Sequence, residues 1–138
     1  MATKKWNTVA IIPSAGMGKR MGTSPSSRKN YIQILGRPVL AHTLEAFERS
    51  ISVDSVILVA PLGDLVYCRE NIVKKYRFKK VTQIIPGGKE RQDSVANGLA
   101  AIADPRFRHA GAGIILVHDG ARPLVTPKLI EDTIEAAK

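Results

Sequence analysis

The chain has 138 residues, 44% of them hydrophobic, enough for one domain with a core of its own. Twenty-one Lys and Arg against twelve Asp and Glu leave a formal charge of +9, which favours acidic partners such as nucleotides, sugar phosphates or nucleic acid. The single Cys68 excludes an internal disulfide and a cysteine-pair metal site, no apolar run reaches the ~18 residues of a bilayer span, and the N-terminus lacks a signal segment, so a reducing, cytoplasmic setting without a membrane partner is expected.

The first predicted strand is the apolar run Val9 to Pro13, which breaks into Ser14-Ala15-Gly16-Met17-Gly18-Lys19-Arg20. Small residues and glycines let backbone N–H groups come close to an anion, and the cations behind them supply countercharge, so this is read as a phosphate-handling loop. The spacing excludes two common relatives. The third glycine of a dinucleotide fingerprint would fall at Met21, and the lysine of a Walker loop must precede Ser or Thr, whereas Lys19 precedes Arg20. Between Gly16 and Pro38 no clear element is predicted, and the cations Lys19, Arg20, Arg28 and Lys29 fit either a basic lid over a polyphosphate or a solvated loop.

A helix is predicted over Pro38 to Arg49, with Pro38 in its first turn, then a strand over Ser55 to Ala60 and a helix over Leu62 to Tyr76. The basic run Lys74 to Lys80 with interleaved aromatics is read as a solvated helix end rather than a nucleic-acid surface, so no nucleic-acid partner is expected. A third strand, Val81 to Ile85, runs into Pro86-Gly87-Gly88-Lys89-Glu90-Arg91-Gln92-Asp93-Ser94-Val95, with a helix over Gln92 to Ile102. The two glycines with Asp93 and Ser94 suit either the edge of a flat base or a plain turn in which Asp93 complements the helix dipole. A fourth strand, Gly113 to His118, leads into Asp119-Gly120-Ala121-Arg122-Pro123. Asp119 is the Mg²⁺ candidate, because this hard cation is commonly held by one or two carboxylates and substrate phosphate oxygens. His118 is read as a satisfied core histidine, and Arg122 either grips a phosphate or pairs with a nearby carboxylate. A last helix is predicted from the N-cap Thr126, followed by Pro127, and still runs at Lys138. Four apolar strands alternating with helices predict an α/β fold, a Rossmann-like doubly wound and mainly parallel sheet that looks truncated, with ligands at the carboxyl ends of its strands.

The three constellations in this order resemble the 2-C-methyl-D-erythritol 4-phosphate cytidylyltransferases of the non-mevalonate isoprenoid route. The resemblance is carried by Pro13 to Met21, Lys29-Asn30-Tyr31, Gly36 to Leu44, Gly87 to Val95 and Val117 to Pro123, and covers about the first 60% of a usual family member. It implies a fold of the nucleotidyltransferase type, residues 1–138 being the nucleotide-binding part. It implies transfer of a cytidylyl group from CTP to 2-C-methyl-D-erythritol 4-phosphate, with pyrophosphate as leaving group. Arg20 and Lys29 would stabilise the transition state at the α-phosphate. Pro13, Ser14, Ala15, Gly16, Gly18, Lys19, Gly88, Lys89 and Ser94 would surround the nucleotide, with Asp119 on Mg²⁺ and Arg122 toward the acceptor phosphate. The resemblance also implies a homodimer. Two departures are visible: the family usually has Pro-Lys-Gln where this chain has Arg28-Lys29-Asn30, and Ala where Ser14 stands. The alternatives are a cytidylyltransferase for another alditol phosphate, such as ribitol 5-phosphate, and a CTP-binding fragment without turnover.

Overall fold

The computed structural model describes residues 7–15, 29–106 and 112–138. In chain order the strands are β1 (Asn7–Pro13), the short β2 (Gln33–Ile34) and β3 (Arg37–Pro38), β4 (Ser55–Ala60), β5 (Val81–Pro86) and β6 (Ala112–Val117). The helices are α1 (Val39–Arg49), α2 (Leu65–Cys68), α3 (Arg91–Ala103) and α4 (Pro127–Ala137). The main sheet has the order β5-β4-β1-β6 with every pairing parallel, as the alternation of apolar runs and helices predicts.

β1 and β4 are central and almost wholly buried, which is why their sequences are apolar on both faces. On one face Ala10, Ile12, Val56 and Leu58 belong to a core completed by Leu40, Leu44 and Phe47 of α1 and by Ile130 and Ile134 of α4. On the other face Val9, Ile11, Ile57 and Val59 pack with Ala101 and Ile102 of α3. From β1 the chain steps outward through α1 to β4 and through α2 to β5, then returns by α3 to β6 on the far side of β1. The winding direction therefore reverses between β1 and β6, and an α/β sheet opens its ligand crevice at such a switch point, beyond the carboxyl ends of the strands.

Four details depart from the sequence expectations. α3 lies over β1, β4 and β5, and among the described residues Ile115 and Val117 of β6 are left 40% and 42% exposed, short of the full cover that a continuous apolar run suggests. Pro38 is the last residue of β3 and precedes the helix, its extended ψ of 146° holding it outside the first turn. The helix expected over Leu62 to Tyr76 is broken into a 3₁₀ turn at Leu62–Asp64, α2, and a π segment at Arg69–Val73 where the Lys74 N–H donates to the Arg69 carbonyl. The non-helical φ and ψ of Asp64 separate the first two pieces. Finally, residues 29–38 are structured: a 3₁₀ turn at Lys29–Tyr31 is followed by the β2–β3 hairpin, whose Leu35 and Gly36 both have positive φ, as a two-residue I′ turn requires.

Lys74, Lys75, Arg77 and Lys79 of the basic run are exposed, while its aromatics Tyr76 and Phe78 are half-buried and buried. The Arg37 guanidinium and the Lys75 amine lie over the Tyr76 ring at 5.1 and 5.5 Å, Lys74 pairs with Glu70 at 3.2 Å, and the Lys80 amine donates to the Ser50 carbonyl. Its aromatics thus face the protein, which fits the reading of a solvated helix end.

Candidate active site

Three sequence-distant segments meet at the carboxyl end of β1. The Ser14 N–H donates to the Val59 carbonyl at 2.7 Å, the Gly87 N–H to Ala60 at 2.9 Å, the His118 N–H to Ile11 at 3.0 Å, and the Gly120 N–H to Pro13 at 3.0 Å. Strand-like pairing therefore continues past the strands and draws the loops after β1, β5 and β6 together. Fit is close. A Cβ on Gly87 would lie 2.2 Å from the Ala15 Cβ and 2.6 Å from the Ser94 Oγ, and one on Gly120 would lie 2.9 Å from the Ser14 Cβ. Both positions need glycine because neighbouring chain occupies the space where a side chain would begin.

Of the residues expected around a nucleotide, Pro13, Ser14, Ala15, Gly88 and Ser94 are brought together here, and Lys89 is exposed beside them. Gly16, Gly18, Lys19 and Arg20 lie outside the described residues. The Ser14 hydroxyl is turned into the sheet, donating to the Val59 carbonyl at 2.8 Å. The Ser14 N–H and carbonyl are engaged as well, with the Val59 carbonyl and the Asn30 side-chain amide. The Ser94 hydroxyl accepts from the Gly88 N–H at 3.3 Å and is buried, so it shapes the Gly87-Gly88 turn. Asp93, at the third position of α3, accepts from the Glu90 N–H at 3.0 Å and closes a capping box with the N-cap Glu90.

Lys29 stands on the 3₁₀ turn, which the Asn30 side-chain amide ties to β1 by donating to the Ser14 carbonyl at 2.9 Å. Lys29 and Arg122 are exposed, and among the described residues neither is in an ion pair with a carboxylate. Asp119 is partly buried at the exit of β6, its Oδ1 accepting from the Ala121 N–H at 2.9 Å. No group of three or more metal-ligating side chains occurs among the described residues, so a cation here would rely on Asp119 and on ligand oxygens, the usual manner of Mg²⁺. His118 is not the satisfied core histidine expected: its ring tilts against Phe47 at 5.4 Å, but its buried Nδ1 has no partner among the described residues. Burial holds the imidazole below its ordinary pKa, and Arg122 adds to this while Asp119 opposes it.

One anchor escaped the sequence reading. Thr43, on the apolar stripe of α1, is fully buried and donates its hydroxyl to the Gly120 carbonyl at 2.8 Å, so it holds the loop carrying Asp119. The available signal was a hydroxyl among apolar residues in helical register.

Residues 8–138 match the family model described as 2-C-methyl-D-erythritol 4-phosphate cytidylyltransferase. The chain belongs to that family. A curated relative of the same name from Syntrophotalea carbinolica is 44% identical over 128 residues, covering 93% of this chain and 52% of the relative. One from Geobacter metallireducens is 47% identical over 121 residues, covering 88% of this chain and 50% of the relative. The crystal structure of 4-diphosphocytidyl-2C-methyl-D-erythritol synthase from Anaerococcus prevotii is 32% identical and superposes with a TM-score of 0.73, over 95% of this chain and 50% of that one. The chain thus spans about half the length of the curated relatives it matches, somewhat less than the sequence suggested.

Proposed function

We propose that this chain is the nucleotide-handling part of a cytidylyltransferase that takes CTP and 2-C-methyl-D-erythritol 4-phosphate to 4-diphosphocytidyl-2-C-methyl-D-erythritol and pyrophosphate. The observation that carries the proposal is the convergence of the loops after β1, β5 and β6 on one strand end, at the sheet's switch point, in a chain of this family. An acceptor phosphate oxygen attacks the α-phosphorus in line as pyrophosphate leaves, so the protein's work is positioning and charge stabilisation. Lys29 and Arg20 meet the charge that develops at the α-phosphate, Lys19 and Lys89 face the triphosphate, and Arg122 faces the acceptor phosphate. Mg²⁺, when bound, neutralises polyphosphate charge, and Asp119 is the residue that would hold it. A homodimer and a cytoplasmic location belong to the same proposal.

In calorimetry with Mg²⁺, CTP is expected to bind more tightly than ATP, because the Gly87-Gly88 turn, packed against Ala15 and Ser94, leaves no slack for a larger base. Equal affinities would sink the proposal. The half-length match favours keeping one second reading, CTP binding without turnover, which release of pyrophosphate from CTP and the acceptor distinguishes.

A further inference from the structure

A buried polar cluster beside the Lys29 turn has no part in the chemistry above. The Tyr31 hydroxyl donates to the Asp64 Oδ2 at 2.9 Å and lies 3.2 Å from the Cys68 Sγ, while its ring tilts against Tyr67 at 4.9 Å. Tyr31 is 3% exposed and Asp64 1%. A carboxylate in a core is costly unless it is hydrogen-bonded, so a buried Asp64 facing a phenol is not filler. Asp64 closes the 3₁₀ turn that follows β4, where its N–H donates to the Pro61 carbonyl at 2.8 Å. The cluster therefore joins the exit of β4 to the turn that carries Lys29.

That turn has three residues, Lys29–Tyr31. Asn30 is tied to the end of β1 and Tyr31 to the exit of β4, so two successive residues anchor the turn to two adjacent strands of the sheet. Lys29 is left exposed at its start, with a direction that its neighbours set. We propose that Tyr31 and Asp64 are positioning residues for Lys29, holding the turn so that its ammonium meets charge developing on the transferred phosphoryl group. This rests on the nucleotidyl-transfer reading. Burial, with smaller contributions from Cys68 and Asp64, pushes the Tyr31 hydroxyl far above its usual pKa, so it stays a donor at every working pH.

The test is a double-mutant cycle on the full chain, read as pyrophosphate release from CTP and 2-C-methyl-D-erythritol 4-phosphate. Tyr31→Phe keeps the ring against Tyr67 and removes the donor; kcat is expected to fall about tenfold while the KM for CTP moves less than about twofold, because a misplaced cation is felt mainly in the transition state. In a Lys29→Ala background the same change is expected to cost nothing further. Asp64→Asn, which keeps an acceptor oxygen, should restore most of the rate lost in Asp64→Ala. Tyr31→Phe combined with Asp64→Leu leaves no orphaned carboxylate and should match the rate of Tyr31→Phe alone, which guards against simple unfolding. If Tyr31→Phe runs at the parental rate, or costs the same with and without Lys29, the positioning role is overturned while nucleotidyl transfer stands. A parental chain that does not bind CTP removes the functional reading and this inference together. A parental chain that binds CTP but releases no pyrophosphate overturns the positioning role as well, since Lys29 then has no developing charge to meet.

Discussion

The two flanks of the β1 end share backbone hydrogen bonding and close packing, and differ in what holds them beyond that. On the Gly87 side contact is steric: Ala15, Ser94 and Val59 crowd the space where a glycine Cβ would stand. On the Gly120 side the loop is also hung from hydrogen bonds, with its N–H on Pro13 and its carbonyl on Thr43. Added volume is resisted on both flanks, and the second depends besides on a side-chain donor from α1. A rigid Gly87-Gly88 turn and a fixed origin for the Asp119 loop are thus obtained by different neighbours.

The comparison breaks most sharply at Gly87→Ala. Its new methyl must displace the end of β1 or the start of α3, so denaturant unfolding should show a loss of about 1–3 kcal/mol, and CTP affinity should fall more than the tenfold that 1.4 kcal/mol represents. Parental values for both would mean that the flank is not sterically set. Next comes Thr43→Val, near in shape but without the donor. Leaving the Gly120 carbonyl unpaired should cost about 1–3 kcal/mol of stability, which Thr43→Ser recovers in large part. Equal melting of the Val and Ser variants would remove the tether from the account.

His118 sharpens the same flank through pH. Its folded-state pKa is depressed by burial, so below the ordinary value the unfolded chain takes up a proton that the folded protein resists. Stability from the neutral imidazole is therefore complete above about pH 6.5 and declines as pH falls from there toward the lower folded-state value. Thermal unfolding between pH 7 and 5 should show a shallower pH slope in His118→Gln than in the parent, and identical slopes would contradict the burial account. The smallest effect belongs to Ser14→Ala. Its hydroxyl shares the Val59 carbonyl with its own N–H, so a loss within about 1 kcal/mol and a CTP affinity within twofold are expected. A tenfold loss of affinity would show that the hydroxyl faces the ligand after all.

Much of this was legible before the structure. The central strands announce themselves as apolar runs because both faces are covered, and Thr126 caps α4 as its side chain suggested, its Oγ1 accepting from the Leu129 N–H at 3.1 Å. The glycines at Gly87 and Gly120 also stand out, since close approach of neighbouring chain admits few residue types. What was hidden depended on partners far away in sequence. Leu35 gives no local hint of a positive φ, Thr43 reads as a core filler until the Gly120 carbonyl arrives above it, and Asp64 looks like a turn residue until Tyr31 is placed against it. The break between Leu62 and Tyr76 was missed because single 3₁₀, α and π turns are too short for their different periods to show in the apolar pattern.

The order of the strands also sets a timetable. β1 is made first yet sits at the centre, pairing β4 through Val9 with Ser55 and β6 through Val9 with Ile115. As the chain emerges from a ribosome, N-terminal end first, the Gly87 wall can close on β1 while the opposite wall has yet to be synthesised. The crevice is thus half-built for as long as translation takes to move from Ser94 to Gly120, and the backbone partner of the Thr43 hydroxyl is the last piece to arrive. β6 bridges a longer sequence separation to β1 than β4 does, Val9 pairing with Ile115 as against Ser55.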